Sequence, residues 1–242
     1  MAARERRRFA ILPRLGIRPA NHEVVNRELK LALGAASSAS HPEGLAVLDA
    51  GCGRISALRP FRTQIHRFVG ADIHAPAPGA LPYLDEFVAA DLCADADAFP
   101  RESFDVILSS FTVEHFADPE SAFRNLHGWL RPGGRLVITT VNRRHPFVRA
   151  YLSMPAQVRS RLQRLVKATA ADAHPLVGGC NSPADLERAL AAAGFRDVRV
   201  TTVGHLARAW GRRWPTYLLG LLGDILTQAV PSRRSTIVVA AS

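Results

Sequence analysis

The apolar run "LAVLDA" ends in Asp49-Ala50 and leads into two glycines on either side of Cys52, in Asp49-Ala50-Gly51-Cys52-Gly53. Glycines at a strand-to-helix turn let a ligand approach the backbone closely and leave N–H groups free to bind it. Ser56 stands where a dinucleotide fingerprint has its third glycine, and a carboxylate at Asp49 repels a pyrophosphate. The same carboxylate attracts an ammonium or a sulfonium. The ligand that suits this turn is therefore a nucleoside carrying an amino acid.

Asp72 lies 19 residues beyond Gly53, at the end of "RFVGADI", where a carboxylate can accept from both ribose hydroxyls. Asp91 ends "EFVAADL", where its side chain or the adjacent amide can meet an adenine edge. Taken singly, each aspartate is explained as well by a loop or a helix cap. Three carboxylates ending three successive apolar runs all fall on the ligand-binding edge of one sheet. His115, beside Glu114 in "FTVEHF", is the candidate general base, because a histidine titrates near about 6.5 and can take a hydroxyl proton. The favoured reading of Glu114 and His115 is a structural pair that shapes the pocket. His145, Tyr151, Asp172 and His174 follow in a basic stretch, each explained by itself as a loop residue.

These groups need a frame, and the apolar runs supply one. Runs rich in β-branched residues at 45–50, 67–73, 86–92, 104–110 and 134–141 predict strands. A helix over 118–131 is opened by Asp118-Pro119 and stopped by "RPGG". The pattern resumes with a helix at 182–194, capped by Ser182, and strands at 197–203 and 235–241. Strands joined by helices give a parallel sheet covered on both faces, an α/β doubly wound architecture with helical inserts. The expectation is one domain over 1–242, with a helical N-terminal arm at 1–44 and a cofactor-binding core at 45–142. A basic lid insert fills 143–181, and 182–242 completes the sheet with an apolar helix at 214–230. The arm's helix, with Val24, Val25, Leu29, Leu31 and Leu33, is expected to stop at Gly34.

Composition narrows the class. The 242 residues are 48% hydrophobic and 21% charged, as in soluble globular proteins. Cys52, Cys93 and Cys180 make an odd set with no CxxC pair, which argues against a disulfide framework or structural zinc and for a reducing cytoplasm. No metal site is expected. The arginines of "RERRRFAILPR" precede too short an apolar run for a signal peptide, and Asp224 interrupts "YLLGLLGDIL" too early for a membrane span. Net charge is +10, yet residues 1–120 sum to −3 and residues 121–242 to +13. That imbalance asks for an anionic partner or marks a solvated basic face.

Two amphipathic stretches lie in the basic half. In "SMPAQVRSRLQRLVKATA", Val158, Leu162, Leu165 and Val166 share a face, with Arg159, Arg161, Arg164 and Lys167 elsewhere. In "TYLLGLLGDILTQAV", Leu218, Leu221, Leu222, Ile225 and Ala229 stack opposite Gly220, Asp224 and Gln228. Both suit a lid over an apolar acceptor, or peripheral contact with an anionic membrane on its inner face.

"VLDAGCG", "VGADI", "VAADL", "FDVILSSFTVEH" and "LRPGGRLVITT" in succession resemble class I S-adenosylmethionine-dependent methyltransferases, particularly the ubiquinone/menaquinone-type small-molecule branch, methyltransferase type 11. The resemblance covers 45–142 well and 182–242 loosely. It implies a seven-stranded sheet in the order 3-2-1-4-5-7-6, with the last strand antiparallel. It implies S-adenosyl-L-methionine as cofactor, with Gly51, Cys52 and Gly53 at the methionine moiety and Asp49 near its amino group. Asp72 with Ile73 would hold the ribose, Asp91 with Leu92 the adenine, and Ser110 with Phe111 the methyl-donor side. Two departures stand out. Ile55 replaces the frequent third glycine, and Pro76, Pro78 and Pro82 leave little room for a helix between the second and third strands.

The reaction implied is methyl transfer to oxygen or carbon of a small, apolar or lipid-like acceptor. "SSFT" stands where enzymes that methylate nucleic-acid amino groups carry an Asn/Asp-Pro-Pro-aromatic motif. An RNA methyltransferase is the first alternative, but aromatics are only 7%, so no nucleic-acid partner is expected. A non-catalytic binding module on the cofactor fold is the second.

Overall fold

The computed structural model describes residues 21–38, 44–155, 157–159, 161, 179–210 and 214–242. Seven strands form one sheet: β1 (Ala46–Ala50), β2 (Arg67–Asp72), β3 (Glu86–Ala89), β4 (Phe104–Ser110), β5 (Leu130–Val141), β6 (Arg199–Val203) and β7 (Thr236–Ala241). Their order is β3-β2-β1-β4-β5-β7-β6, and β7 runs antiparallel to both neighbours. This is the doubly wound sheet expected from the alternation of apolar runs. β1 and β4 are buried along nearly their whole length, as central parallel strands must be.

Helices cover both faces. On one, α1 (Asn21–Ser38) buries Val24, Val25, Leu29 and Leu33 against β4, β5 and β7. Leu31, assigned to that apolar face from sequence, is 54% exposed. The helix also passes through Gly34 to Ser38, because Gly34 is exposed and Ala36 beyond it is buried in the same core. On the other face, α2 (Pro119–Trp129) and α4 (Pro183–Ala192) pack together. Both carry the caps read from sequence: Asp118 accepts the Ser121 N–H at 3.1 Å and Ser182 that of Asp185 at 3.3 Å.

Two connections differ from expectation and one agrees with it. No α-helix follows β1; a 3-10 turn over Arg59–Gln64 does. Gly51, Gly53 and Pro60 fragment the segment, and Leu58 and Phe61 are buried three apart, the spacing at which a 3-10 turn stacks its side chains. "RPGG" does not end before a strand but bulges inside one. Leu130 pairs with Phe104 and Arg135 with Val106, and Gly133 at φ +79° takes up the extra residues. Residues 73–85 contain only turns, as the three prolines foretold.

The second half holds α3 (Pro146–Leu152), α5 (Leu206–Ala209) and α6 (Trp214–Thr227). Of the basic amphipathic stretch, Val158, Arg159 and Arg161 are described, and Val158 is 43% exposed. Leu162, Arg164, Leu165, Val166, Lys167, Asp172 and His174 lie outside the described residues. α6 has the opposite orientation to a lid that buries its leucines. Gly220, Gly223, Asp224 and Thr227 face inward, while Leu218, Leu222 and Ile225 are exposed. Asp224 decides this, because its carboxylate accepts the N–H groups of Leu206 at 3.2 Å and Ala207 at 2.9 Å, at the start of α5.

Candidate active site

The strand register sets three aspartates in a staircase. Asp49 pairs with Gly70, two residues before Asp72; Asp72 pairs with Ala89, two residues before Asp91. Each step along the parallel strands thus moves the carboxylate two residues further out of the same sheet edge. β3 ends at Ala89, so Asp91 heads the turn beyond it rather than closing the strand.

Asp49 is 1% exposed, and its Oδ2 has no hydrogen-bond partner. Its pKa is raised to about 7, chiefly by burial and in smaller part by the nearby Asp72 carboxylate, against a lowering hydrogen bond from the Ser56 side chain. Ser56 is therefore a support for Asp49 rather than only an absent glycine. Tyr83 completes that support by accepting the Ser56 N–H at 2.9 Å.

The glycine loop is built differently from the sequence reading, which left its N–H groups for a ligand. Gly51 and Cys52 both donate to the Ala71 carbonyl, at 2.7 and 3.0 Å, and Gly53 donates to Asp72 Oδ2 at 3.0 Å. The loop's contribution is close approach. Gly51, at φ +82°, has no room for a Cβ, which would fall within the Thr112 side chain; Gly53, at φ +50°, opens onto empty space. Cys52 is buried, and its thiol is pushed up to about 12 by burial and by Asp49 and Asp72, so it is no nucleophile.

Asp72 Oδ1 accepts the His74 N–H at 3.1 Å, so each carboxylate oxygen holds one backbone donor and keeps a second lone pair. Ile73 beside it is 52% exposed. Asp91 Oδ1 takes the Cys93 N–H at 2.9 Å, and its own N–H goes to Asp95 at 2.8 Å, which leaves the Asp91 carboxylate rather than its amide open to a ligand. Leu92 is buried, and its carbonyl accepts from Asn125.

Ser110 ends β4, and Phe111 follows in the left-handed region at φ +55°, its N–H bound to the Thr139 carbonyl at 2.7 Å. A bulky residue in that conformation is strained, and such strain gathers at ligand sites. The next turn, Val113–His115, splits the Glu114-His115 pair. Glu114 is buried and accepts the Thr140 hydroxyl at 2.7 Å, which in turn accepts from Asn181 at 2.9 Å. His115 is half-exposed, its backbone N–H bound to the Thr112 carbonyl.

Two other histidines have distinct places. His145 is fully buried and caps α3: its Nδ1 accepts the Phe147 N–H at 3.1 Å, leaving Nε2–H to the Gly223 carbonyl at 3.3 Å. That is a structural role. His205, which sequence reasoning missed, lies just beyond β6 with its ring stacked on Phe111, centroids 6.5 Å apart. Its Nδ1 is buried without a partner, and burial, then Arg208 and His22, lower its pKa to about 4. No sequence signal marks it, since Gly204-His205 resembles any loop. Among the described residues there is no cluster that could hold a metal ion, and no helix long and apolar enough to cross a membrane.

Known proteins give the site a context. A family model described as a methyltransferase domain matches residues 21–200. The ubiquinone biosynthesis O-methyltransferase of Ruegeria pomeroyi is 37% identical over 110 residues, 41% of this chain and 42% of that enzyme. The chain thus matches about two fifths of that relative's length. The enzyme of the same name from Chelativorans sp. is 32% identical over 177 residues, 70% of this chain and 67% of its own. A SAM dependent methyltransferase from Archaeoglobus fulgidus shares the fold, with a TM-score of 0.53 at 18% identity over 97% of this chain and 100% of that one.

Proposed function

The chain belongs to the methyltransferase-domain family, and on that premise we propose that it transfers a methyl group from S-adenosylmethionine to a small, lipid-like acceptor. Of the two acceptor atoms open from sequence, oxygen and carbon, the name shared by the relatives favours oxygen. The observation that carries the reading is Asp49. A buried carboxylate oxygen without a partner, beside a glycine loop that is tightly packed at Gly51 and open at Gly53, fits the ammonium of the cofactor's amino acid.

When bound, the cofactor supplies an electrophilic methyl on a sulfonium. The chain's own residues bind and orient. Asp49 pairs with the ammonium, Asp72 accepts from the ribose and Asp91 meets the adenine. Phe111, held at positive φ, presents its ring on the methyl-donor side. Most of the rate then comes from alignment in a desolvated site. His115 is the proton acceptor for a hydroxyl, and Glu114 anchors the turn that carries it. The setting proposed is the cytoplasm, peripheral to the inner face of the membrane.

The test is incubation with methyl-labelled cofactor and a catechol carrying a short prenyl chain, read by mass spectrometry. Label on a ring oxygen is the expected result. Cofactor binding without turnover on this acceptor or on host lipid extracts would leave a non-catalytic binding module.

A further inference from the structure

α6 presents its apolar residues to solvent and its polar ones to the protein. Leu218, Leu219, Leu222, Ile225 and Leu226 are 41–60% exposed, and Trp214 at the start of the helix is 54% exposed. Their spacing puts Leu218, Leu222, Ile225 and Leu226 along one side. The helix cannot roll to hide them. A side chain at Gly220 would strike the Leu206 carbonyl at 2.6 Å, and one at Gly223 the Phe147 ring at 2.9 Å. Asp224, 2% exposed, is tied to α5 by two backbone N–H groups. The leucine face is thus fixed outward by the same contacts that hold the helix down.

We propose that this face seats the protein on an anionic lipid bilayer, with α6 lying in the headgroup layer. Charge selects the occupant. The sequence from Arg199 to Ser242 holds six arginines and one acid, and that acid is the buried Asp224. Arg208 lies on α5 against the helix, and the exposed Arg233 just beyond its end. An anionic surface complements this rim, whereas a second copy of a chain with net charge +10 is repelled by it. Fourteen residues make a helix of about 21 Å, too short to span and suited to lie in the interface. The inference rests on the lipid-like acceptor proposed above, because it brings the enzyme to where such an acceptor resides.

The experiment is cosedimentation of the full chain, without cofactor or acceptor, with vesicles of phosphatidylglycerol and phosphatidylcholine and with vesicles of phosphatidylcholine alone. Binding to the anionic vesicles should weaken in high salt and blue-shift tryptophan emission. A Leu218→Ser/Leu222→Ser/Ile225→Ser variant should bind about tenfold or more weakly, with its melting temperature preserved because these side chains are exposed. No binding to anionic vesicles at low salt, or undiminished binding by a folded variant, overturns the proposal. So does a concentration-dependent dimer that the same substitutions dissolve. Methyl transfer to a water-soluble catechol, measured on the same variant, reports separately on the catalytic reading.

Discussion

The Asp72 carboxylate accepts the backbone N–H of Gly53 at 3.0 Å, which ties the end of β2 to the loop that follows β1. One residue therefore shapes the cradle and, in the function proposed, would also accept from the ribose. Removing it costs charge-assisted hydrogen bonds of roughly 1.5–3 kcal/mol each. Asp72→Ala should lose at least about tenfold in S-adenosylmethionine affinity by calorimetry. Asp72→Asn keeps one acceptor oxygen and should lose less. Unchanged affinity in Asp72→Ala would remove Asp72 from the site.

Placed at the cofactor's ammonium as proposed, Asp49 should make binding depend on pH. Its pKa of about 7 in the free protein means that half the carboxyls are protonated at neutrality. A bound ammonium favours the ionised form, so binding releases a proton below pH 7. Affinity should fall by up to about tenfold per unit as pH drops below 7, and Asp49→Asn should abolish that slope. Stability follows the opposite sign. Between 3.8 and about 7 the folded state binds more protons than the unfolded one, so this group's contribution declines as pH rises through 7. Asp49→Asn should therefore melt higher than the parent at pH 8 without cofactor, while binding cofactor worse. A lower melting temperature there would show that the ionised carboxylate is compensated by a partner.

Much of this site was legible in the sequence, because the apolar runs mark the strands, the family resemblance implies their order, and register places the carboxylates that end them. Asp49, Asp72 and Asp91 share an edge for that reason alone. What stayed hidden depends on contacts between distant segments. Ser56 and Tyr83 meet across 27 residues, and the Asn181–Thr140–Glu114 chain crosses from the insert to β5 and the turn after β4. The facing of α6 was hidden too. Its periodicity shows one apolar side, but the Leu206 and Ala207 N–H groups held by Asp224 and the close packing at Gly220 and Gly223 decide that this side points outward.

Gly51 and Gly53 look alike in sequence and should behave differently. At Gly51 an alanine collides with Thr112 in a left-handed conformation, so Gly51→Ala should lower the melting temperature by several degrees. At Gly53 a Cβ meets nothing within 4 Å, and only the cost of positive φ, about 1 kcal/mol, applies. That Cβ enters the space assigned to the methionine moiety. Gly53→Ala should stay folded yet bind cofactor weakly. Normal affinity in Gly53→Ala would place the ligand elsewhere.

His205 supplies a proton-linked term of opposite sign to Asp49. Its pKa, lowered from 6.5 to about 4, leaves the unfolded chain with more bound protons than the folded one between those values. Its stability contribution is complete above 6.5 and is lost as pH falls towards 4. His205→Phe keeps a ring to stack on Phe111 but removes the titrating nitrogen. The difference in melting temperature between variant and parent should thus shift in the variant's favour as pH drops from 7 to 4.5, with little further change above 7. An imidazole resonance titrating near 6.5 in the folded parent would contradict the burial of Nδ1. If His205→Phe also raises the KM for a hydroxylated acceptor while cofactor affinity holds, the unpartnered Nδ1 faces the acceptor through the Phe111 side of the site.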